Sequence, residues 1–312
     1  MMNITCTRYR NGLAWAALLL QLAVLAEPSR AQSQSPIPSQ SPSQSQSQNP
    51  SQSQNQTEGQ EAVPKPTTSN AQPTPPPPYK PPNLNPTQVP SAYVAEWGNY
   101  FVSSSIYGYE SGNGSSGLTT DGAVSVGIGA GNARRFVAVE VDFNLESLAN
   151  TNNGGSLDVR LGRELIGTHT FALQLGAGWL GIASYGNWPQ KGGSPYGVLT
   201  AAWPLRPNNP DFRQTMQVNL GGGGGRFQRL DAVDLDSSGL IASVGVELAP
   251  NIGISAGWAG RGLNATLSYV PLRATPLYLS VSGANITNVD GTGRAVALSI
   301  SWGGSFRTAT FP

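Results

Sequence analysis

From residue 95 onward, apolar and polar residues alternate with a period of two. No stretch sustains the 3.6-residue period of an amphipathic helix. Within 135–145, Val137, Val139, Val141, Phe143 and Leu145 alternate with Ala138, Glu140, Asp142 and Asn144. The pattern returns in 157–161, 171–179, 216–220, 252–258, 263–269 and 296–302. A strand turns successive side chains to opposite faces, so each segment predicts one apolar and one polar face. About twelve such strands are expected. They begin near residues 96, 121, 134, 155, 169, 194, 213, 239, 251, 262, 275 and 293. Most run about 9–13 residues, the length of a tilted membrane-crossing strand.

The connections add a second regularity. Long ones are predicted after the odd strands, at 111–120, 147–154, 185–193, 222–238 and 285–292. Shorter ones follow the even strands, at 131–133, 164–167, 206–211, 250–251 and 271–275. Only 260–262 breaks the order. Long outer loops and short periplasmic turns are how an up-and-down outer-membrane barrel is built. Aromatic residues are expected as a girdle. Trp179 and Trp258 close odd strands, and Trp203, Tyr269 and Trp302 close even ones, which puts the two groups at opposite rims.

Composition sharpens this picture. Charged residues are 11% of the 312-residue chain, against about 25% in an ordinary globular domain. Lys191 is the only lysine after Lys80. The polar face is therefore small and uncharged, as a lumen is, rather than rich in Lys and Glu. The alternative is an exported soluble β-sandwich, whose strands would alternate in the same way. A net charge of +1 argues against a nucleic-acid partner.

The first ninety residues read differently. Arg8 and Arg10 precede an apolar run over 13–26, and small residues offer cleavage after Ala26 or Ala31, so residues 1–31 are expected to be a secretory signal. Cys6, the one cysteine, lies inside it without a lipoprotein context, leaving the mature chain without disulfides or thiolate ligands. Residues 32–92 form a Ser/Gln-rich then Pro-rich segment with too little apolar surface to fold, expected to be a disordered linker in the periplasm. Its role is read as a tether, with cell-wall or periplasmic contacts as the alternative. Residues 93–312 remain for the barrel.

This organisation resembles the porin-like outer-membrane barrels of Gram-negative-type bacteria. A Pro/Gln-rich leader in front of a barrel is associated with cyanobacterial members. The resemblance covers about residues 95–312 and rests on pattern and topology. It implies a cell outer-membrane location, lipid as the surrounding partner, and transport without catalysis. The chain departs from the usual aromatic C-terminus, since Phe311 is followed by Pro312.

Three motifs mimic catalytic or cofactor sites. Gly176-Ala-Gly178-Trp-Leu-Gly181 and Gly260-Arg-Gly262 fit parts of a dinucleotide fingerprint, but both lie among strands, where no helix N-terminus can meet a pyrophosphate. Gly253-Ile-Ser255-Ala-Gly257 fits a nucleophile elbow, yet it alternates as a strand. Strand phase sends the sole histidine, His169, to the opposite face from Ser255. The run 221–225 lacks the Lys-Ser/Thr of a phosphate loop and reads as a strand end entering an outer loop. No enzyme activity, metal or cofactor is expected.

One polar cluster remains. Glu140 and Asp142 share a face on the third strand, and Asp158 and Arg160 share one on the fourth. Adjacent strands can set Arg160 across from either acid. The cluster reads as a salt-bridge network stiffening a lumen wall, or as a constriction that sets ion preference. The expected function is a passive channel for small hydrophilic solutes or ions. A structural or surface-interaction barrel with a filled lumen is the competing reading.

Overall fold

The structure, a computed structural model, describes residues 79–110, 118–149, 151, 154–186, 193–228, 239–288 and 293–307. The expected signal, the linker as far as residue 78, Lys191 and the C-terminal Phe311 lie outside them.

Twelve strands form, at the positions alternation predicts: β1 (Asn99–Glu110), β2 (Leu118–Gly131), β3 (Ala138–Leu145), β4 (Gly154–Gly167), β5 (Ala172–Gly186), β6 (Ser194–Pro204), β7 (Thr215–Gly223), β8 (Gly239–Ala249), β9 (Ile252–Ala259), β10 (Leu263–Tyr269), β11 (Leu277–Ala284) and β12 (Ala295–Ser305). Each pairs antiparallel with its sequence neighbours. Pairing of β1 with β12, from Asn99↔Ser305 to Tyr109↔Ala295, closes the sheet into a barrel. Closure removes every sheet edge. It also rules out the two-sheet sandwich held open as an alternative.

The alternation becomes a radial division. Ile106, Leu220 and Leu298 point outward and are 66%, 58% and 61% exposed, while Ser103, Ser125, Thr200 and Asn219 point inward and are buried. Large apolar side chains on the outside and hydroxyls and amides on the inside invert the arrangement of a soluble globule. Where the shortest strands end, backbone pairing continues. Ile286 N–H donates to the Leu263 carbonyl and Val270 N–H to that of Asn251.

Two sequence expectations change. Measured between strand ends, the connection between β6 and β7 spans 205–214, as long as several on the other rim, although backbone pairing runs on into it through Leu205 with Gln214 and Arg206 with Arg213. Length alternation is therefore weaker than the sequence suggests. His169 does not lie in the wall. It sits in the turn between β4 and β5, fixed by Thr168, whose amide donates to the Phe171 carbonyl at 2.8 Å.

Candidate functional site

The barrel has two ends: a turn end, holding the connections after even strands, and a loop end. The lumen between them is not empty. Residues 83–95, ahead of β1, are drawn into it, so the expected linker boundary at 92 falls within a buried segment. The segment enters and leaves by the same mouth. Tyr79, Lys80 and Pro81 on one side of it, and Tyr93 to Glu96 on the other, line a turn-end vestibule of about 1390 Å³. Between them the chain rises to a tip where Gln88 adopts φ 66° and Val89 N–H donates to the Pro86 carbonyl at 3.3 Å.

Wall side chains hold this segment one bond at a time. Thr266 Oγ1 accepts from the Thr87 amide at 2.9 Å, and Thr200 Oγ1 accepts from the Ala92 amide at 2.8 Å. Gln217 and Asn219 both donate to Asn85 Oδ1, at 2.5 and 2.9 Å, and Ser268 donates to the Asn83 carbonyl at 2.6 Å. Inward glycines make room. A Cβ on Gly176 would stand 2.6 Å from Ala92 Cα, and one on Gly162 would stand 2.6 Å from the Ala92 carbonyl oxygen. Gly176, the first glycine of the false dinucleotide motif, thus has a steric reason to be there. At the tip, Val89 and Ala92 pack with Leu180, Tyr196, Val198, Phe227, Ile241 and Ala259.

Phe227 arrives from the loop end. The run 221–225 does not simply leave the wall. After β7 the chain folds inward as a 3₁₀ turn, Gly225–Phe227, burying both Arg226 and Phe227. The Arg226 guanidinium lies over the Phe227 ring, 4.8 Å from its centroid. Tip and inward turn meet inside the barrel in one buried apolar cluster.

The four predicted charges come together. Glu140 pairs in register with Arg160, and Asp142 with Asp158. Arg160 Nη1 lies 3.7 Å from Glu140 Oε1, and its Nε lies 3.1 Å from Asp142 Oδ2. The other Glu140 oxygen accepts from the Ala95 amide, tying the cluster to the lumen segment. Asp158 has a different task. It accepts from Gly181 N–H at 2.6 Å and Asn144 Nδ2 at 3.0 Å. Gly181, at φ 66°, forms the irregularity where β5 carries extra residues opposite β4. A buried carboxylate satisfies the amide such a bulge leaves unpaired.

Two charges join the cluster that strand phase could not reveal, Glu146 and Arg226, because both sit outside the strands. Burial, reinforced by Asp158, pushes the Glu146 carboxyl up to about 9, against the pull of Arg226 and a 3.4 Å hydrogen bond from Ser156. A carboxyl raised from 4.5 to about 9 keeps its proton in the folded state after the unfolded chain has lost its own. Stability is then largest below the lower value, falls as pH rises between the two, and levels off above the upper. Glu146→Gln is expected to flatten that decline and raise the unfolding midpoint at pH 8. Melting curves at pH 5, 7 and 9 test this, and parallel slopes for variant and wild type would contradict it.

The predicted girdle residues Trp179, Tyr269 and Trp302 are exposed on the outer surface, and Trp203 and Trp258 are half-buried there. Trp179 stands mid-strand rather than at the end of β5. It nonetheless marks the loop-end rim, because it pairs with Pro195 at the start of β6 and β5 overshoots its neighbour. Ser255 points into the lumen as expected, and its buried hydroxyl has no hydrogen-bond partner among the described residues.

No protein-family model and no curated protein sequence matches the chain. Among solved structures, similar folds are a KdgM porin in complex with disordered oligogalacturonate (9% identity, 64% of this chain and 98% of that one, TM-score 0.40), the outer membrane protein Omp33 of Acinetobacter baumannii (10%, 66% and 97%, 0.38) and an outer membrane channel from Pseudomonas putida F1 (11%, 71% and 100%, 0.38). What this barrel does has to be argued from its own surfaces.

Proposed function

We propose that the protein is an outer-membrane channel for small hydrophilic solutes or ions, seen here in an occluded state. One observation carries this. A closed barrel turns its large aliphatic side chains outward and lines its interior with small hydroxyl and amide groups. The exterior suits lipid, and a wall of Ser, Thr, Asn and Gln suits a column of water. The outward tryptophans and tyrosines fit the headgroup zone. In this reading the turn end faces the periplasm, the signal is cleaved, and the Pro/Gln/Ser-rich residues tether the barrel from below. The Glu140, Asp142, Asp158 and Arg160 side of the wall sets ion preference, with Glu146 and Arg226 beside it.

A filled-lumen structural barrel is the second reading, favoured by the apolar packing around Val89 and Phe227. The purified protein is expected to shift mobility on heating in a semi-native detergent gel and to give discrete conductance steps in planar bilayers. A heat shift with a silent bilayer would favour the structural barrel. Solubility without detergent and no shift would sink both.

A further inference from the structure

We propose that residues 83–95 are the gate of this channel, and that the gate opens by withdrawal through the turn-end mouth. The proposal rests on the channel reading.

Three observations point the same way. First, the segment is attached to the wall differently from the way the strands are attached to one another. Wall strands share continuous backbone ladders, whereas the segment meets the wall through separate side-chain contacts at Asn83, Asn85, Thr87, Ala92 and Ala95. A ladder breaks cooperatively, but isolated side-chain bonds exchange individually for water.

Second, part of the wall behind the segment is bonded across its own strands. Thr200 donates to Asn219 at 2.6 Å, Asn219 to Ser243 at 2.7 Å, and Thr266 and Ser282 share a bond of 2.9 Å. Ser103 with Ser301 and Ser125 with Asn144 continue the pattern at 3.0 and 2.6 Å. These cross-strand links would keep the barrel in shape around a water-filled lumen.

Third, the path out is open in one direction only. Both limbs of the segment emerge into the vestibule, whereas Phe227 and Arg226 close the loop end above its tip. The outer limb carries a clasp, Arg273 stacked 4.2 Å from the Tyr79 ring centroid at the mouth. The inner limb is covalently continuous with β1. A segment tied at one limb and clasped at the other can slide out as a loop without passing through the wall. Its departure also takes Val89 and Ala92 from beneath Phe227, leaving the outer turn without its apolar floor.

Locking the segment tests this. Thr200 Oγ1 lies 2.8 Å from the Ala92 amide, and Asn219 Nδ2 lies 2.9 Å from Asn85 Oδ1, so cysteines at either pair replace side chains in contact, and a short bifunctional methanethiosulfonate makes the disulfide bridge where the two sulfurs do not meet directly. In a Cys6→Ser background, Ala92→Cys/Thr200→Cys and Asn85→Cys/Asn219→Cys contain the only thiols. The full chain is reconstituted in planar bilayers and recorded under a voltage ramp, with disulfide formation verified by alkylation. Conductance steps are expected to vanish in both oxidised proteins and to return on reduction at or above the wild-type frequency, because the cysteines remove bonds that hold the segment in place. Wild-type steps through either verified disulfide would overturn the gate while leaving the channel reading intact. Silence of the wild type and of both reduced variants would overturn the gate and the channel together.

Discussion

Replacing Arg160 with alanine is expected to destabilise the barrel by about 3–5 kcal/mol, the cost of leaving buried charges unpaired. Its guanidinium is the cation between Glu140 and Asp142, whose side chains are 0% and 2% exposed against its own 6%. Without it, two buried carboxylates stand side by side on β3 with no cation between them, and Asp158 lies opposite one of them. The measurement is the urea concentration or temperature at which the fast-migrating folded band is lost. Adding Glu140→Gln and Asp142→Asn to Arg160→Ala is expected to restore most of the loss, because the charges then disappear together. An unchanged midpoint for the single variant would mean that water already solvates the cluster.

Gly176→Leu is the second large effect, and it acts on conductance rather than stability. Gly176 leaves the space into which Ala92 fits. A leucine there collides with the backbone of the lumen segment rather than with a flexible side-chain end. The barrel is closed by twelve interstrand ladders and the segment by scattered bonds, so the segment is the partner that yields. Open probability in bilayers is expected to rise at least tenfold. Gly197→Leu is the control, since a Cβ at Gly197 meets nothing within 4 Å and the residue faces outward. Equal conductance for the two leucine variants and wild type would show that the segment tolerates the collision in place.

The site was partly legible before folding. Alternation placed Glu140, Asp142, Asp158 and Arg160 on one face of neighbouring strands, and a register of Glu140 with Arg160 follows once β3 and β4 pair. Phase failed at residues outside strands. His169 was assigned a face by extending the β5 pattern backwards, but Thr168 and Phe171 close a turn there. Phase placed Asp158 in the charge cluster but not its bond to the Gly181 amide, because a bulge at Gly181 leaves no mark in a pattern of apolar and polar residues. Glu146 and Arg226 escaped notice for the same reason, each reaching the cluster from a loop.

The lumen segment had a faint signal that composition hid. After Pro81-Pro82 the chain regains Leu84, Val89, Ala92, Val94 and Ala95, apolar residues sparse in the Ser/Gln-rich stretch before it. By itself this segment cannot fold, because it is too short and too rich in proline to offset its ordering entropy. Strand number, strand phase and the apolar exterior are local properties, written in a period of two, and the sequence alone determined them. What fills the barrel is not local. It depends on a cavity that exists only after β1 meets β12, and on wall glycines and hydroxyls from strands far apart in the chain. Only the tertiary structure could decide that residues 83–95 and the turn at 225–227 enter the lumen and meet there.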